Sequence, residues 1–273
     1  RCPDRGGRCP RSVRTMSARA ALSTTLRWAD GPARFARDAL GFTPDDWQAD
    51  VLTSGAPRML LNCSRQSGKS TTAAALALHR AIFYPGSLVL LVSPSLRQSG
   101  ELFRKVIAHL RALEQEPKGS ESNKQSLALA NGSRIVSLPG TEGTIRGFSG
   151  ADLIVEDEAA RVDDDLYFAI RPMLAVSGGR LVLMSTPHGK RGHFFEAWEN
   201  GGDEWKRIEI PASKCPRITS AFLEEERRQM GDWWFRQEYG CEFVATTDQV
   251  FDYDLVMSAL SDEVKPLFPL PGG

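Results

Sequence analysis

Five cysteines (Cys2, Cys9, Cys63, Cys215, Cys241) are scattered along the chain without a C-x-x-C pair, and no histidine stands near one at zinc-ligand spacing. That excludes a zinc ribbon or finger and a dense disulfide framework. No apolar run approaches the roughly 18 residues of a membrane span, and there is no signal-peptide core, so the chain reads as cytosolic and reduced. Net charge is also missing, with 34 Lys+Arg against 34 Asp+Glu, so overall charge gives no argument for or against a polyanionic partner. Histidine is sparse: His79, His109, His188 and His193 are scattered and read as structural or solvent-facing. There is no internal repeat. What remains is ordinary globular composition, 41% hydrophobic and 25% charged, in a 273-residue chain. That length suits one large α/β domain, alone or with a small appendage.

Charge is nevertheless uneven. Arginine is concentrated before residue 38, where Asp4 and Asp30 are the acids. Residues 1–15 lack periodicity and precede Met16-Ser17-Ala18, which has the look of a natural start. They are expected to be disordered and to derive from upstream of that start; the alternative is a flexible basic arm that touches DNA.

The most informative segment is Arg58-Met59-Leu60-Leu61-Asn62 leading into Cys63-Ser64-Arg65-Gln66-Ser67-Gly68-Lys69-Ser70 and then an alanine-rich helical stretch. It is a phosphate-binding loop in which Cys63 stands where G-x-x-x-x-G-K-[ST] has its first glycine. Gly68 lets the backbone approach phosphate, and successive backbone N–H groups make an anion nest beside a helix N-terminus. Lys69 is suited to the β- and γ-phosphates and the Ser70 hydroxyl to Mg²⁺. Cys63 reads as a small residue ending a buried strand.

Elsewhere the periodicity alternates between the two regular structures. Residues 18–40 have helical spacing broken at Gly31-Pro32, and Thr43 caps a helix opening at Pro44, with Asp46 at the capping-box position. A helix is expected from Thr71 to Phe83, stopping at Tyr84-Pro85-Gly86. Ser87–Val92, Asp152–Glu156 and Arg180–Ser185 are short apolar runs of the kind buried on both faces of a parallel sheet, and Lys206–Ile210 adds another. Leu102, Phe103, Val106, Ile107, Leu110 and Leu113 form one helical stripe. Leu127–Ala130 and Arg134–Leu138 flank Asn131-Gly132-Ser133 as a hairpin. The pattern predicts a doubly wound, mainly parallel α/β sheet of the P-loop NTPase type, with ligands at the carboxyl ends of the strands. Residues 16–212 are assigned to the core. A helical lid or linker occupies 213–255, with Thr219 capping Ala221–Met230 and Asp232 starting an aromatic helix; 256–273 form a tail.

Three further segments fit the loop. Leu153-Ile154-Val155-Glu156-Asp157-Glu158 is a strand ending in acids: Asp157 fits a metal carboxylate and Glu158 a general base. Glu156, on the alternate side, is left for solvation or a salt bridge. Ser185-Thr186-Pro187-His188-Gly189 ends another strand with hydroxyls that could sense a γ-phosphate, although such residues also dominate plain turns. Gln48 offers the donor and acceptor that adenine's edge requires, and Trp47 either packs beside the base or belongs to the core. Arg65, inside the loop, is either a finger supplied in cis, or a surface arginine or the partner of a neighbouring acid.

Together these residues resemble the large terminase subunits, the DNA-packaging motors of tailed bacteriophages. Ser64–Ser70 looks like that family's deviant Walker A, and Arg146-Gly147-Phe148-Ser149-Gly150-Ala151-Asp152 feeding Leu153–Ala160 its Walker B region. Ser185-Thr186-Pro187-His188-Gly189 is similar to its coupling motif and Trp47-Gln48 to its adenine-reading segment. The resemblance runs from about residue 41 to 255. It implies ATP and Mg²⁺ bound through Trp47, Gln48, Ser64, Arg65, Gln66, Ser67, Gly68, Lys69, Ser70 and Thr71, with Ser70 and Asp157 on the metal. Glu158 would be the catalytic base, Arg65 and Lys69 would assist it, and Ser185 and Thr186 would couple hydrolysis to movement of double-stranded DNA. The implied partners are a portal protein and a small terminase subunit, with a pentameric ring on the portal, or a monomer in isolation, in the bacterial host cytoplasm.

One departure stands out. Large terminases usually continue into a nuclease, and only a short stretch follows Val244. The expectation is therefore an ATPase part without nuclease activity, a truncated chain in which Asp252 and Asp254 belong to a linker. A helicase shares the loop, the Asp-Glu pair and the Ser/Thr motif but needs a second RecA-like domain. Glu224-Glu225-Glu226-Arg227-Arg228 reads instead as i,i+4 pairing on a helix face. A scaffold that binds DNA without turnover is the non-enzymatic alternative. For DNA contacts, Arg97, Arg104, Lys105, Lys118, Lys124, Lys190 and Arg191 are candidates that read equally well as solvated charges.

Overall fold

The computed structural model describes residues 18–113, 121–139, 145, 147–245 and 258. The expectations for residues 1–15, Arg146, Lys118, Asp252, Asp254 and the tail other than residue 258 lie outside the described residues.

Chain order is α1 (Ala18–Asp30), α2 (Pro32–Asp38), α3 (Asp46–Thr53), β1 (Arg58–Cys63), α4 (Lys69–Phe83), β2 (Leu88–Ser93), α5 (Leu96–Ala112), β3 (Glu121–Ser122), β4 (Ser126–Ala128) and β5 (Arg134–Pro139). It continues with β6 (Leu153–Asp157), α6 (Asp164–Ile170), β7 (Arg180–Ser185), α7 (Gly192–Glu199), β8 (Lys206–Ile210) and α8 (Ser220–Glu238). The eight strands form one sheet in the order β3-β4-β5-β2-β6-β7-β1-β8. From β5 to β8 every neighbouring pair is parallel; β3 and β4 are added antiparallel at one edge.

Alternate residues of each central strand feed two cores. Met59, Leu61, Cys63, Val89, Leu91, Val155, Val182 and Met184 pack against α2 to α5 on one face. Leu60, Leu90, Val92, Ile154, Leu181 and Leu183 pack toward α6 and α7 on the other. Burial on both faces explains why these strands read as continuous apolar runs rather than alternating ones.

Several boundaries differ from expectation. The helix expected to open at Pro44 under a Thr43 cap opens at Asp46. Asp45 is its N-cap and forms a reciprocal capping box with Gln48, whose Oε1 accepts the Asp45 N–H at 2.8 Å. An N-cap two residues later wins because Gln48, not Asp46, occupies the third helical position. Strands β2 and β6 each begin one residue later than their apolar patterns suggested, and the short α6 and α7 lacked a long enough period to be read. The break expected inside α8 falls at Gly231 (φ 80°, ψ 163°), and Thr219 Oγ1 caps by accepting the Phe222 N–H. In the segment expected to show i,i+4 pairing, Gln229 Nε2 donates to Glu225 Oε1 at 3.1 Å, an i,i+4 bond, and neighbouring charges make other contacts. Arg227 pairs with Asp232 across the break, and Glu226 accepts the Tyr239 hydroxyl. Among the described residues, no helix is long and apolar enough to cross a membrane.

Candidate nucleotide site

The site is built at the carboxyl ends of β1, β6 and β7. Strand β1 stops at Cys63, which is fully buried and has none of the left-handed backbone that would require glycine. Burial pushes its thiol up to about 12, against the pull of Lys69. The turn itself uses left-handed backbone at Gln66 (φ 61°) and Gly68 (φ 97°). A Cβ on Gly68 would lie 2.8 Å from Gln48 Nε2 and 3.3 Å from an Arg217 guanidinium nitrogen, so the conformation demands glycine and a methyl there would also displace the ends of those two side chains. Helix α4 then starts at Lys69, two residues before the position its apolar spacing suggested.

Strand β7 lies between β1 and β6, yet the loop and the acids meet. Lys69 Nζ donates to Glu158 Oε1 at 2.6 Å, and Ser70 Oγ to Asp157 Oδ2 at 3.4 Å. Burial works against the Lys69 ammonium, but the charges of Asp157 and Glu158 outweigh it and raise its pKa. Asp157 is 7% exposed, and burial lifts its carboxyl to about 6 despite Lys69. Its Oδ1 accepts the Glu158 N–H at 3.0 Å. Glu158 itself has left-handed backbone (φ 57°), which turns its carboxylate back toward the loop.

The hydroxyls of Ser64 and Ser67 are buried without a conventional hydrogen-bond partner, beside the thiols of Cys215 and Cys63 respectively. Thr71 N–H donates to the Gly68 carbonyl within the first helical turn. On the far side of the loop Gln48 is 1% exposed, while Trp47 packs against the first core and leaves its indole N–H buried without a partner. Ser185 and Thr186 are both buried at the end of β7, where the Ser185 hydroxyl donates to the Thr186 carbonyl at 2.7 Å.

Arg65 is exposed and pairs with Glu238, the last residue of α8, so among its readings from sequence the surface ion pair is the contact present. Its backbone N–H also donates to the Glu238 carbonyl at 3.0 Å. Besides Glu238, two more residues that sequence reasoning missed complete the surroundings. Arg161 holds Glu158 Oε2 at 3.2 Å and reaches Glu238 Oε1 at 3.7 Å. Arg217 donates to the Ser67 carbonyl at 2.8 Å and pairs with Asp45, tying the loop to the start of α3. The only local signal for any of them was the i,i+3 spacing of Glu158 and Arg161. Glu156 is not solvated: it is fully buried, and its Oε1 lies 2.9 Å from His193 Nε2.

The donor set fits the implied ligands. A glycine-dependent turn, a largely shielded ammonium and buried unpartnered hydroxyls suit a polyphosphate, and the Ser70–Asp157 oxygen pair suits a hard cation such as Mg²⁺.

Comparison with known proteins gives the family and the fold. The family described as "Terminase large subunit, T4likevirus-type, N-terminal" matches residues 60–257. The chain is 28% identical over 253 residues to the terminase large subunit of Thermus virus P23-45, covering 78% of this chain and 51% of that one. It therefore spans about half the length of that relative. Among solved structures, the large terminase ATPase domain of Thermus phage P74-26 superposes with a TM-score of 0.69 at 24% identity, covering 77% of this chain and 98% of that one. The large terminase of another thermophilic bacteriophage, solved in complex with ADP, gives a TM-score of 0.60 at 11% identity, covering 74% and 54%.

Proposed function

The chain belongs to the large terminase subunit family, whose N-terminal part it matches, and from that premise we propose that it hydrolyses ATP with Mg²⁺ to drive double-stranded DNA into a viral procapsid. The observation that carries the reading is the meeting of Lys69 with Glu158 and of Ser70 with Asp157 across an intervening strand. No structural requirement of the sheet brings two acids and a lysine together there, whereas phosphoryl transfer needs all of them.

The roles follow from placement. The loop N–H groups, Ser64, Gln66, Ser67 and Thr71 would cradle the phosphates, and Lys69 would exchange its carboxylate partner for them. Ser70 and Asp157 would hold Mg²⁺, which supplies charge neutralisation on the phosphate oxygens. Glu158, released by Lys69, would take a proton from the attacking water. Arg65 would move from Glu238 to the phosphates as a finger in cis. Gln48 would address the base, with Trp47 as its apolar support. Ser185 and Thr186, between the two motifs, would pass the change to the DNA-moving parts.

We assign residues 16–212 to the ATPase core and 213–255 to a lid or linker. The partners are double-stranded DNA, a portal protein and a small terminase subunit, with a pentameric ring on the portal, in the bacterial host cytoplasm. The test is steady-state ATPase of the wild type against Glu158→Gln. A fall of about 10²–10⁴ in kcat is expected for losing a general base. Equal rates would remove Glu158 from the mechanism, and no turnover in either would favour a scaffold.

A further inference from the structure

Five charged side chains of alternating sign run in one line through the site: Lys69, Glu158, Arg161, Glu238 and Arg65. Glu158 gives one carboxylate oxygen to Lys69 and the other to Arg161. Glu238 likewise gives one to Arg161 and the other to Arg65. The line is partly shielded from water. The side chains of Lys69 and Glu238 are 13% and 8% exposed, and Arg161 is 28% exposed, while Arg65 at the outer end is 62% exposed. Both ends are cations of the phosphate loop, and the middle belongs to the turn after β6 and to α8.

We propose that Arg161 and Glu238 are positioning residues that link occupancy of the phosphate loop to release of Glu158, an inference that rests on the nucleotide-hydrolysing reading above. A polyphosphate competes for the two terminal cations at once. When Lys69 and Arg65 turn to it, Glu158 and Glu238 each lose a partner, and Arg161 is left shared between two carboxylates. Glu238, 8% exposed against 23% for Glu158, is the less hydrated carboxylate and so the one that draws Arg161 to itself, leaving Glu158 freer to meet water. Until that exchange, Glu158 is held from both sides by Lys69 and Arg161.

Backbone contacts keep the exchange local. Arg65 N–H donates to the Glu238 carbonyl at 3.0 Å, Ala212 N–H to the Tyr239 carbonyl at 2.8 Å, and Asn62 Nδ2 to the Cys241 carbonyl at 2.7 Å. These hold the end of α8 against β1 and the loop, so Glu238 stays within reach when Arg65 departs. The device needs side-chain exchange, not detachment of the helix.

Two substitutions should move nucleotide binding in opposite directions. Glu238→Gln frees Arg65 for phosphate, so Mg²⁺·ATPγS should bind about twofold to fivefold more tightly, as expected for loss of a partly exposed competing ion pair. Arg161→Gln leaves Lys69 to Glu158 alone and Arg65 to Glu238 alone, so binding should weaken by a similar factor. At saturating ATP both should lower kcat, the first because Arg161 stays on Glu158, the second because nothing orients it. Arg161→Lys, which keeps the cation, should restore wild-type affinity within about twofold and guards against a folding defect, which thermal melting of all three variants also reports. Affinity shifts in the same direction, or both below twofold, would overturn the proposal. If the wild type binds ATPγS but does not turn over ATP, the hydrolysis reading fails while the binding comparison still decides this one. Failure of the wild type to bind ATPγS would overturn both.

Discussion

His193 Nε2 lies 2.9 Å from Glu156 Oε1, with the carboxylate fully buried and the ring stacked on Tyr167 at 4.4 Å. Its other ring nitrogen meets Asp164 at 3.1 Å. The pair ties α7, just beyond the hydroxyl-ended strand, to the residue before Asp157, so it fixes the geometry of the site from behind. Removing the imidazole nitrogens leaves a buried carboxylate uncompensated. His193→Phe is expected to cost about 3–5 kcal/mol, measured by urea denaturation at pH 6.

A pH dependence follows from the same pair. Burial lowers the His193 pKa, but the hydrogen bond and charge of Glu156, with Asp164, outweigh it, so the folded value lies above that of an ordinary histidine. Tyr167, stacked on the ring, is itself held neutral by burial. A raised folded pKa means stability that is fully present below the unfolded value and lost as pH rises through the folded one. Unfolding free energy of the wild type should therefore fall between pH 6 and pH 9 by more than that of His193→Gln. Parallel pH curves would show that His193 does not titrate differently on folding.

The contiguous parts of the site are legible in the sequence. A strand, a glycine-dependent turn and a helix follow one another at 58–83, and Asp157 and Glu158 end an apolar run. Each of these uses local chemistry, and local chemistry leaves a pattern. Contacts between distant segments leave none. Glu238 meets Arg65 and Arg217 meets Ser67 from separations of 173 and 150 residues, and both look like solvated charges on helical or turn segments. The Asp45 cap went unread for a different reason: Thr43-Pro44 offers an equally good start, and only the Gln48 bond selects between them. In the sheet, apolar runs mark the buried strands, but β3 is two residues long and exposed, so nothing in its composition marks it.

Gly68 is expected to tolerate no side chain. Its φ of 97° strains any L-residue, and a methyl would press on Gln48 Nε2 at 2.8 Å. Gly68→Ala should cost about 1–3 kcal/mol through backbone strain and weaken ATPγS binding by displacing the loop from Gln48 and Arg217. Thermal melting and an ATPγS titration check the two effects separately. Unchanged values in both would mean that the loop does not hold this conformation in solution.

Chelation and Ser70→Ala test the oxygen pair. Excess EDTA is expected to abolish ATP turnover. Ser70→Ala removes the hydroxyl 3.4 Å from Asp157 and should raise the Mg²⁺ concentration giving half-maximal rate by about tenfold, the effect of roughly 1.4 kcal/mol of lost metal binding. Melting without metal should change little, because the Ser70–Asp157 contact is long for an O–H···O bond. A variant with the wild-type Mg²⁺ profile would place the metal elsewhere.

Cys63 occupies the position where the phosphate-loop pattern has its first glycine, and the structure explains why no glycine is needed. The residue ends β1, paired with Ile210 of β8, and its neighbour Ser64 donates its N–H to the Ile210 carbonyl at 2.9 Å. Its backbone is ordinary strand, and the tight part of the turn begins only at Gln66. Restoring the glycine should therefore not improve nucleotide binding. Cys63→Gly should instead lose buried contacts and add chain entropy to the unfolded state, destabilising by about 1–3 kcal/mol, with the ATPγS affinity within about threefold of wild type, under 1 kcal/mol. The thiol itself should be inert: burial holds its pKa at about 12, so brief alkylation at pH 8 followed by peptide mass spectrometry should leave Cys63 unmodified until denaturant is added. Rapid native labelling of Cys63, or tighter binding by the glycine variant, would show that β1 ends before this residue and that the cradle begins at it.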